Sequence, residues 1–270
     1  MPGTITLAAG TTEVRLAPDA GGRVGGITVD DLELLAGVPA DGPLQWGCYP
    51  MVPWPGRLGR GVLHFEGAEH RFPLTMAPHA IHGTTWDRPW AVVAQTPTMV
   101  RMAVDLAPPW PFGGQAQHTV ELSEGALRLR LDVIAGDRPM PAAVGWHPWF
   151  RRRLARGSSA RLHLPAGAMW ERGPDGLPTR QLVPPPPGPW DDCFTDLSGP
   201  PVLTWPGALR LAVESACPHV VVYDEQDAAV CVEPQTLPPD GLDHDPPILP
   251  PGQRLTATCT LRWSADTGGT

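Results

Sequence analysis

The stretch VCVEPQT (230–236) carries an apolar run into a carboxylate and then fixes it with a proline. Pro234 restricts the residue before it to extended backbone, so Glu233 is held at a strand end with its direction set. Two histidine-bearing segments accompany it. PHAIHGTTWDRPW (78–90) contains His79 and His82, and GWHPWF (145–150) sets His147 between two tryptophans. Imidazole changes charge near neutral pH, and a Glu with a His supplies a base and an acid for proton transfer. Arg57 lies in the Pro- and Gly-rich turn PWPGRLGRG (53–61), where a rigid backbone can aim its fork at a ligand. Asp191 and Asp192 open DDCFTDL (191–197), and either carboxylate can accept two hydroxyls at once.

Tryptophan is dense around these groups. Trp54, Trp86, Trp146, Trp149 and Trp190 each fall within a few residues of one of them. An indole plane suits the apolar face of a pyranose while charged side chains grip its hydroxyls, so the combination points to acid–base chemistry on a sugar. Packing in the core is the competing use of the same rings.

The elements that must position these residues read as strands. Alternating or short apolar runs recur at 13–18, 23–29, 62–67, 90–95, 100–106, 118–123, 126–135, 209–215, 219–224 and 254–263. Short Gly-bearing links such as SEGA (123–126) are hairpin signals and imply antiparallel pairing. No window shows a capped 3.6-residue apolar stripe, which excludes helical bundles and βαβ folds. The fold class expected is therefore all-β, a single domain over 1–270, with LVPPPPGPW (182–190) as a surface loop inside it. The 11 Trp and 42% hydrophobic content can fill a large core, and the 30 Gly and 36 Pro serve as turn residues.

Composition also narrows the partners. A net charge of -8 without a basic stripe argues against nucleic acid and anionic membrane and for a small neutral ligand. No apolar run approaches a membrane span and no secretory leader pattern opens the chain, which leads to the expectation of a cytoplasmic protein. The five Cys (Cys48, Cys193, Cys217, Cys231, Cys259) lack metal-binding or disulfide spacing and read as buried thiols. The chain contains neither Lys nor Asn, so Schiff-base and Walker-type chemistry are excluded.

PWPGRLGRG, the IHG of His82, HPWF, DDCF and EPQTLPPD occur in one order between residues 50 and 245. In that order they resemble the aldose 1-epimerase (galactose mutarotase-like) family. The resemblance implies a large antiparallel β-sandwich, the galactose mutarotase-like supersandwich, with an open sugar-binding cleft on one sheet. It implies interconversion of the α and β anomers of a free aldose, with no metal and no cofactor, by a monomer or homodimer. Glu233 is then the general base, His147 the general acid and His82 a second contact to the ring oxygen. Arg57 and Asp191 bind substrate; Trp146 and Trp149, which flank His147, are the indoles expected from stacking to bind it as well. The family's classical members place Asn immediately before the Arg; this chain has Gly56 there.

Such a reaction near neutral pH asks for an ionised Glu233 and a protonated His147, set by burial, their mutual pairing and Arg57. Three other readings compete. A metal-dependent sugar isomerase would use His79, His82, His147 and Glu233 as ligands. A hexose-phosphate epimerase would hold its phosphate at Arg151, Arg152 and Arg153. A non-enzymatic carbohydrate-binding module would need the tryptophans and not Glu233.

Overall fold

The computed structural model describes residues 3–38 and 44–266; residues 1–2, 39–43 and 267–270 of the expected domain lie outside the described residues. The described chain is almost entirely β, interrupted by short 3₁₀ turns at Pro18–Ala20, Gly59–Gly61 and Gly241–Asp243. Two large antiparallel sheets, of eleven and eight strands, face one another. Alternation explains the arrangement. In the Ala126–Ile134 strand Leu127, Leu129, Leu131 and Val133 are buried, while Arg128 and Arg130 between them point outward. Its neighbour Arg254–Ala265 buries Ala257, Cys259, Leu261 and Trp263 in the same way. One continuous buried cluster runs from Leu7 to Trp263 between the sheets. The SEGA link joins two paired strands with Ser123 opposite Ala126, as its hairpin signal implies. The stretch 182–190 connects Pro178–Val183 to Asp191–Leu197, and both flank Ala166–Arg172 in the larger sheet.

Two segments outside the strands expected from the sequence are central strands. Gly145–Arg151 holds His147 at its middle, and Asp191–Leu197 begins at the candidate carboxylate. Proline hides the first. Pro148 within Gly145–Arg151, Pro50 within Cys48–Met51 and Pro234 within Ala229–Gln235 all occupy three strands that run side by side. Proline lacks the N–H that a central ladder uses, and it normally argues against such a strand.

The two sheets are also joined by a polar bond inside the core. His118, fully buried on Gln115–Ser123 of the smaller sheet, donates Nδ1–H to the Gly22 carbonyl at 2.9 Å. Its Nε2 accepts the indole N–H of Trp146, from the larger sheet, at 3.2 Å. Both contacts require one neutral tautomer. A proton added at Nε2 would face another donor, and burial pushes the imidazole from 6.5 down to about 4.

The sign of the resulting pH effect follows directly. Between pH 6.5 and about 4 the unfolded chain binds a proton that the folded His118 refuses, so stability falls as pH drops through this window. His118 alone contributes up to about 3 kcal/mol of this loss. The melting temperature is expected to decline progressively over that range, and His118→Gln to flatten the decline. An equally steep decline in the variant would contradict the assignment.

Candidate active site

Ala229–Gln235 is buried on both faces. Val230 and Val232 enter the core between the sheets, while Cys231, Glu233 and Gln235 point to the opposite face. The neighbouring strand pairs Gly145 with Gln235 and Trp149 with Cys231, which sets His147 opposite Glu233. Between those two pairs stand Pro148 and Pro234, which cannot donate to the ladder. Directly opposed residues on one face bring their side chains together. His147 Nε2 lies 3.3 Å from Glu233 Oε1, and the Gln235 amide donates to Oε2 at 3.2 Å. Both oxygens of a carboxylate that is 2% exposed are therefore addressed by side chains.

The imidazole is fixed by rings on two sides. Tyr49, opposite His147 on Cys48–Met51, stacks at 5.0 Å and 28°, and Trp149 stacks at 5.0 Å and 8°. His82 meets His147 edge-on at 4.9 Å. Behind Tyr49 the buried guanidinium of Arg23 lies 4.8 Å from the phenol ring centre and donates to the carbonyls of Ala20, Trp46 and Trp86.

The rim is built by turns that hold one another. Arg57 pairs with Ile81 in a two-strand ribbon, and the His82 N–H donates to the Gly56 carbonyl at 2.9 Å. His82 itself adopts φ 60°, an uncommon backbone for a non-glycine residue, and its Nδ1 has no hydrogen-bond partner. From the other side the segment after Glu233 clamps the arginine turn. Asp240 N–H donates to Arg57 O and Asp240 Oδ1 accepts from Gly59 N–H, both at 2.6 Å. Arg57 then reaches Asp191 Oδ2 at 2.8 Å, and Arg172 reaches the same oxygen at 3.4 Å.

Burial controls the charges. It raises the Glu233 carboxyl well above its ordinary 4.5, and Asp191 adds to the rise while Arg57 and Gln235 oppose it. It lowers His147 from 6.5 to about 3, with buried Arg23 adding to the fall, and it holds His82 well below 6.5. The sequence reading asked for an ionised Glu233 and a protonated His147. Burial works against both, favouring the neutral carboxyl and the neutral imidazole.

These groups line a cavity of about 230 Å³, with Arg57, Asp191, His82, His147 and Glu233 around it. The sequence profile named Aldose 1-epimerase matches residues 3–262. The chain belongs to the aldose 1-epimerase family. The uncharacterized protein YihR of Escherichia coli K12 is 25% identical over 183 residues, which span 65% of this chain and 59% of that protein. The fold is also that of a galactose mutarotase-like protein from Clostridium acetobutylicum, with TM-score 0.86 at 20% identity over 97% of this chain and 95% of that one. The galactose 1-epimerase from Lactobacillus acidophilus NCFM superposes with TM-score 0.81 at 17% identity over 98% and 95% of the two chains.

Within this aldose 1-epimerase fold the expected residues divide. Glu233, His147, His82, Arg57, Asp191 and Trp149 all border the cavity. Trp149 stacks on His147 and meets Tyr223 at 85°, so it braces the imidazole. Trp146 is a correction: it alternates with His147 along the strand, points into the core, is 0% exposed and bonds His118. Trp54 packs in the same core with Phe72 and Trp110, and Trp190 is tied to the proline loop through Pro186 O. His79 is also placed elsewhere, with Nδ1 accepting from Arg60 N–H and Nε2 donating to Asp175 O, which leaves neither nitrogen for a metal. Arg151 and Arg152 donate to the carbonyls of Leu35, Asp224 and Gln226 and do not border the cavity.

Sequence reasoning missed Tyr49, Tyr223 and Gln235. A signal existed for each. The chain has only two tyrosines, and both border this cavity. Gln235 lies two residues beyond Glu233 on one strand and must share its face. Gly56, in place of the family's Asn, has φ 64°, and a Cβ there would meet Pro239 at 3.1 Å. Pro239 thus supplies the cavity wall where a side chain at position 56 would otherwise stand.

Gly83, which follows His82, has φ 77° and lies so close to Val52 that an added Cβ would be 1.9 Å from the Val52 carbonyl oxygen. Gly83→Ala is expected to cost at least about 1 kcal/mol of stability. Thermal melting measures it. An unchanged melting temperature would show that this turn yields freely and does not fix His82.

Proposed function

We propose that the protein is an aldose 1-epimerase acting on a free, neutral aldopyranose, with Glu233 as base and His147 as acid. The observation that carries this reading is the 3.3 Å approach of His147 Nε2 to Glu233 Oε1 in a cavity that Arg57, Asp191 and His82 also line. Interconverting anomers requires removal of the proton on the C1 hydroxyl and delivery of one to the ring oxygen, so that the C1–O5 bond breaks. Rotation about C1–C2 presents the other face of the aldehyde. The ring oxygen then attacks, and the two groups exchange roles.

The resting proton position sets the first step. Substrate hydroxyls entering the cavity solvate both groups, and Arg57 and Gln235 already favour the ionised carboxylate. The proton passes from Glu233 to His147, which produces the base and the acid together. His82 faces the same ring oxygen as a second contact. Arg57 and Asp191 grip hydroxyls as a preformed ion pair, which also supports an uncharged substrate: the guanidinium is already neutralised at 2.8 Å. Arg151 and Arg152 are committed to backbone carbonyls away from this cavity, which supports a free sugar over a phosphorylated one.

Glu233→Gln removes the basic oxygen with little change of size, so the variant should bind sugar and lose nearly all mutarotation when followed by polarimetry. A fully active variant would put the base elsewhere. His147→Ala should lower kcat by about 10²-fold or more with a much smaller change in KM. If only KM rises, His147 binds and does not donate.

The pH profile is a further check. Activity needs one proton on the pair. Lowering His147 to about 3 moves the acid limb of kcat/KM below the ordinary imidazole value of 6.5. Raising Glu233 moves the alkaline limb above the ordinary carboxyl value of 4.5. The acid limb should therefore not fall at pH 6.5; an acid-limb midpoint there would contradict the assignment.

A further inference from the structure

A second cavity of about 260 Å³ lies beside the first, on the same face of the larger sheet. Cross-strand pairing lines the two up. Glu233 is opposite Val221, and Val221 is opposite Cys193. The Met169–Phe194 pair sets Trp170 beside Cys193, and Trp170 pairs in turn with Leu182. Trp170 thus stands three strands from Glu233, on the order of 14 Å across the sheet. One pyranose cannot span that distance.

Several features make this cavity a built site. Trp170 is half-buried, and its indole N–H is directed to Nδ1 of His219 at 3.4 Å, which fixes the ring. His219 remains a neutral acceptor because burial pushes it down to about 4. Leu237, Pro238 and Pro239 form an apolar wall. They belong to the segment that leaves Glu233 and clamps the arginine turn, and Pro239 borders both cavities. At the rim Arg180 approaches His244 at 3.4 Å, and His244 approaches Asp240 at 3.2 Å. Arg180 takes φ 69°, an uncommon backbone for a residue inside a strand. An indole plate, an apolar wall and a rim of both charge signs suit a ring that is apolar on its faces and hydroxylated at its edge. A small space of about 20 Å³ shares Arg57, Asp191 and Pro239 with the first cavity and Trp170 and Pro239 with the second.

We infer that the second cavity is a distal sugar subsite, and that the ligand of this protein is a reducing oligosaccharide. Its reducing-end ring lies at Glu233 and His147, and a later ring lies on Trp170. This rests on the reading of the first cavity as an aldose site.

Calorimetric titration separates the two claims, because it reads binding without turnover. Glucose and galactose would be compared with maltotriose, cellotriose and a β-1,4-linked galactotriose. At least one trisaccharide is expected to bind tenfold or more tightly than its monosaccharide. Trp170→Ala should remove most of that gain, and Trp170→Phe, which keeps an aromatic face, should retain it; circular dichroism verifies that both variants fold. No gain with any trisaccharide, or a gain that survives in Trp170→Ala, overturns the subsite. A gain without any acceleration of anomer exchange by polarimetry leaves the subsite standing and overturns the epimerase reading. Rapid anomer exchange without a gain does the reverse.

Discussion

Two ionisable groups, Glu233 and His147, face each other 3.3 Å apart across adjacent central strands, and both are almost fully buried. A carboxylate and an imidazolium at that depth would each lose most of their hydration, so burial favours the neutral form of each. The surroundings answer that constraint. Tyr49 and Trp149 hold the imidazole flat between them, Gln235 donates to the second carboxylate oxygen, and the prolines on either side open the ladder at the level of the pair. None of these contacts requires the charged state. All of them fix the distance over which the proton moves.

The rim works on a different balance. Arg57, Arg172, Asp191 and Asp192 form a mixed network in which cations and carboxylates are already matched. Such a network gives direction to hydrogen bonds without adding net charge, which suits hydroxyl groups. Its position depends on the segment after Glu233, because Asp240 holds the arginine turn and Pro239 forms the wall beside Gly56. The base and the loop that shapes its cavity are thus consecutive in the chain, and a change in one is felt by the other.

Much of this was legible in the sequence, for physical reasons. Side-chain alternation along Ala126–Ile134 or Leu209–Ser215 is enough to identify half-buried strands, and the SEGA link is enough to pair two of them. Glu233, His147, His82, Arg57 and Asp191 stood out because a charged or titratable residue interrupts an apolar pattern. Trp146 could not be told from Trp149 by type or by proximity to His147. Their destinations differ by parity, since one alternates with His147 and the other shares its face, and the prolines concealed that the segment was a strand at all. The protonation states were also hidden. They depend on how little water reaches the pair, which only the packed structure provides.

Burial of the pair should keep the Glu233 carboxyl protonated above its ordinary value of 4.5, beside a neutral His147. Infrared difference spectroscopy between the wild-type protein and Glu233→Gln reads this directly. The carbonyl band of one protonated carboxylic acid is expected in the wild-type protein at pH values above 4.5, absent from the variant and diminished when sugar binds. A wild-type spectrum with only carboxylate bands for this residue, from neutral pH down to its ordinary value of 4.5, would contradict it.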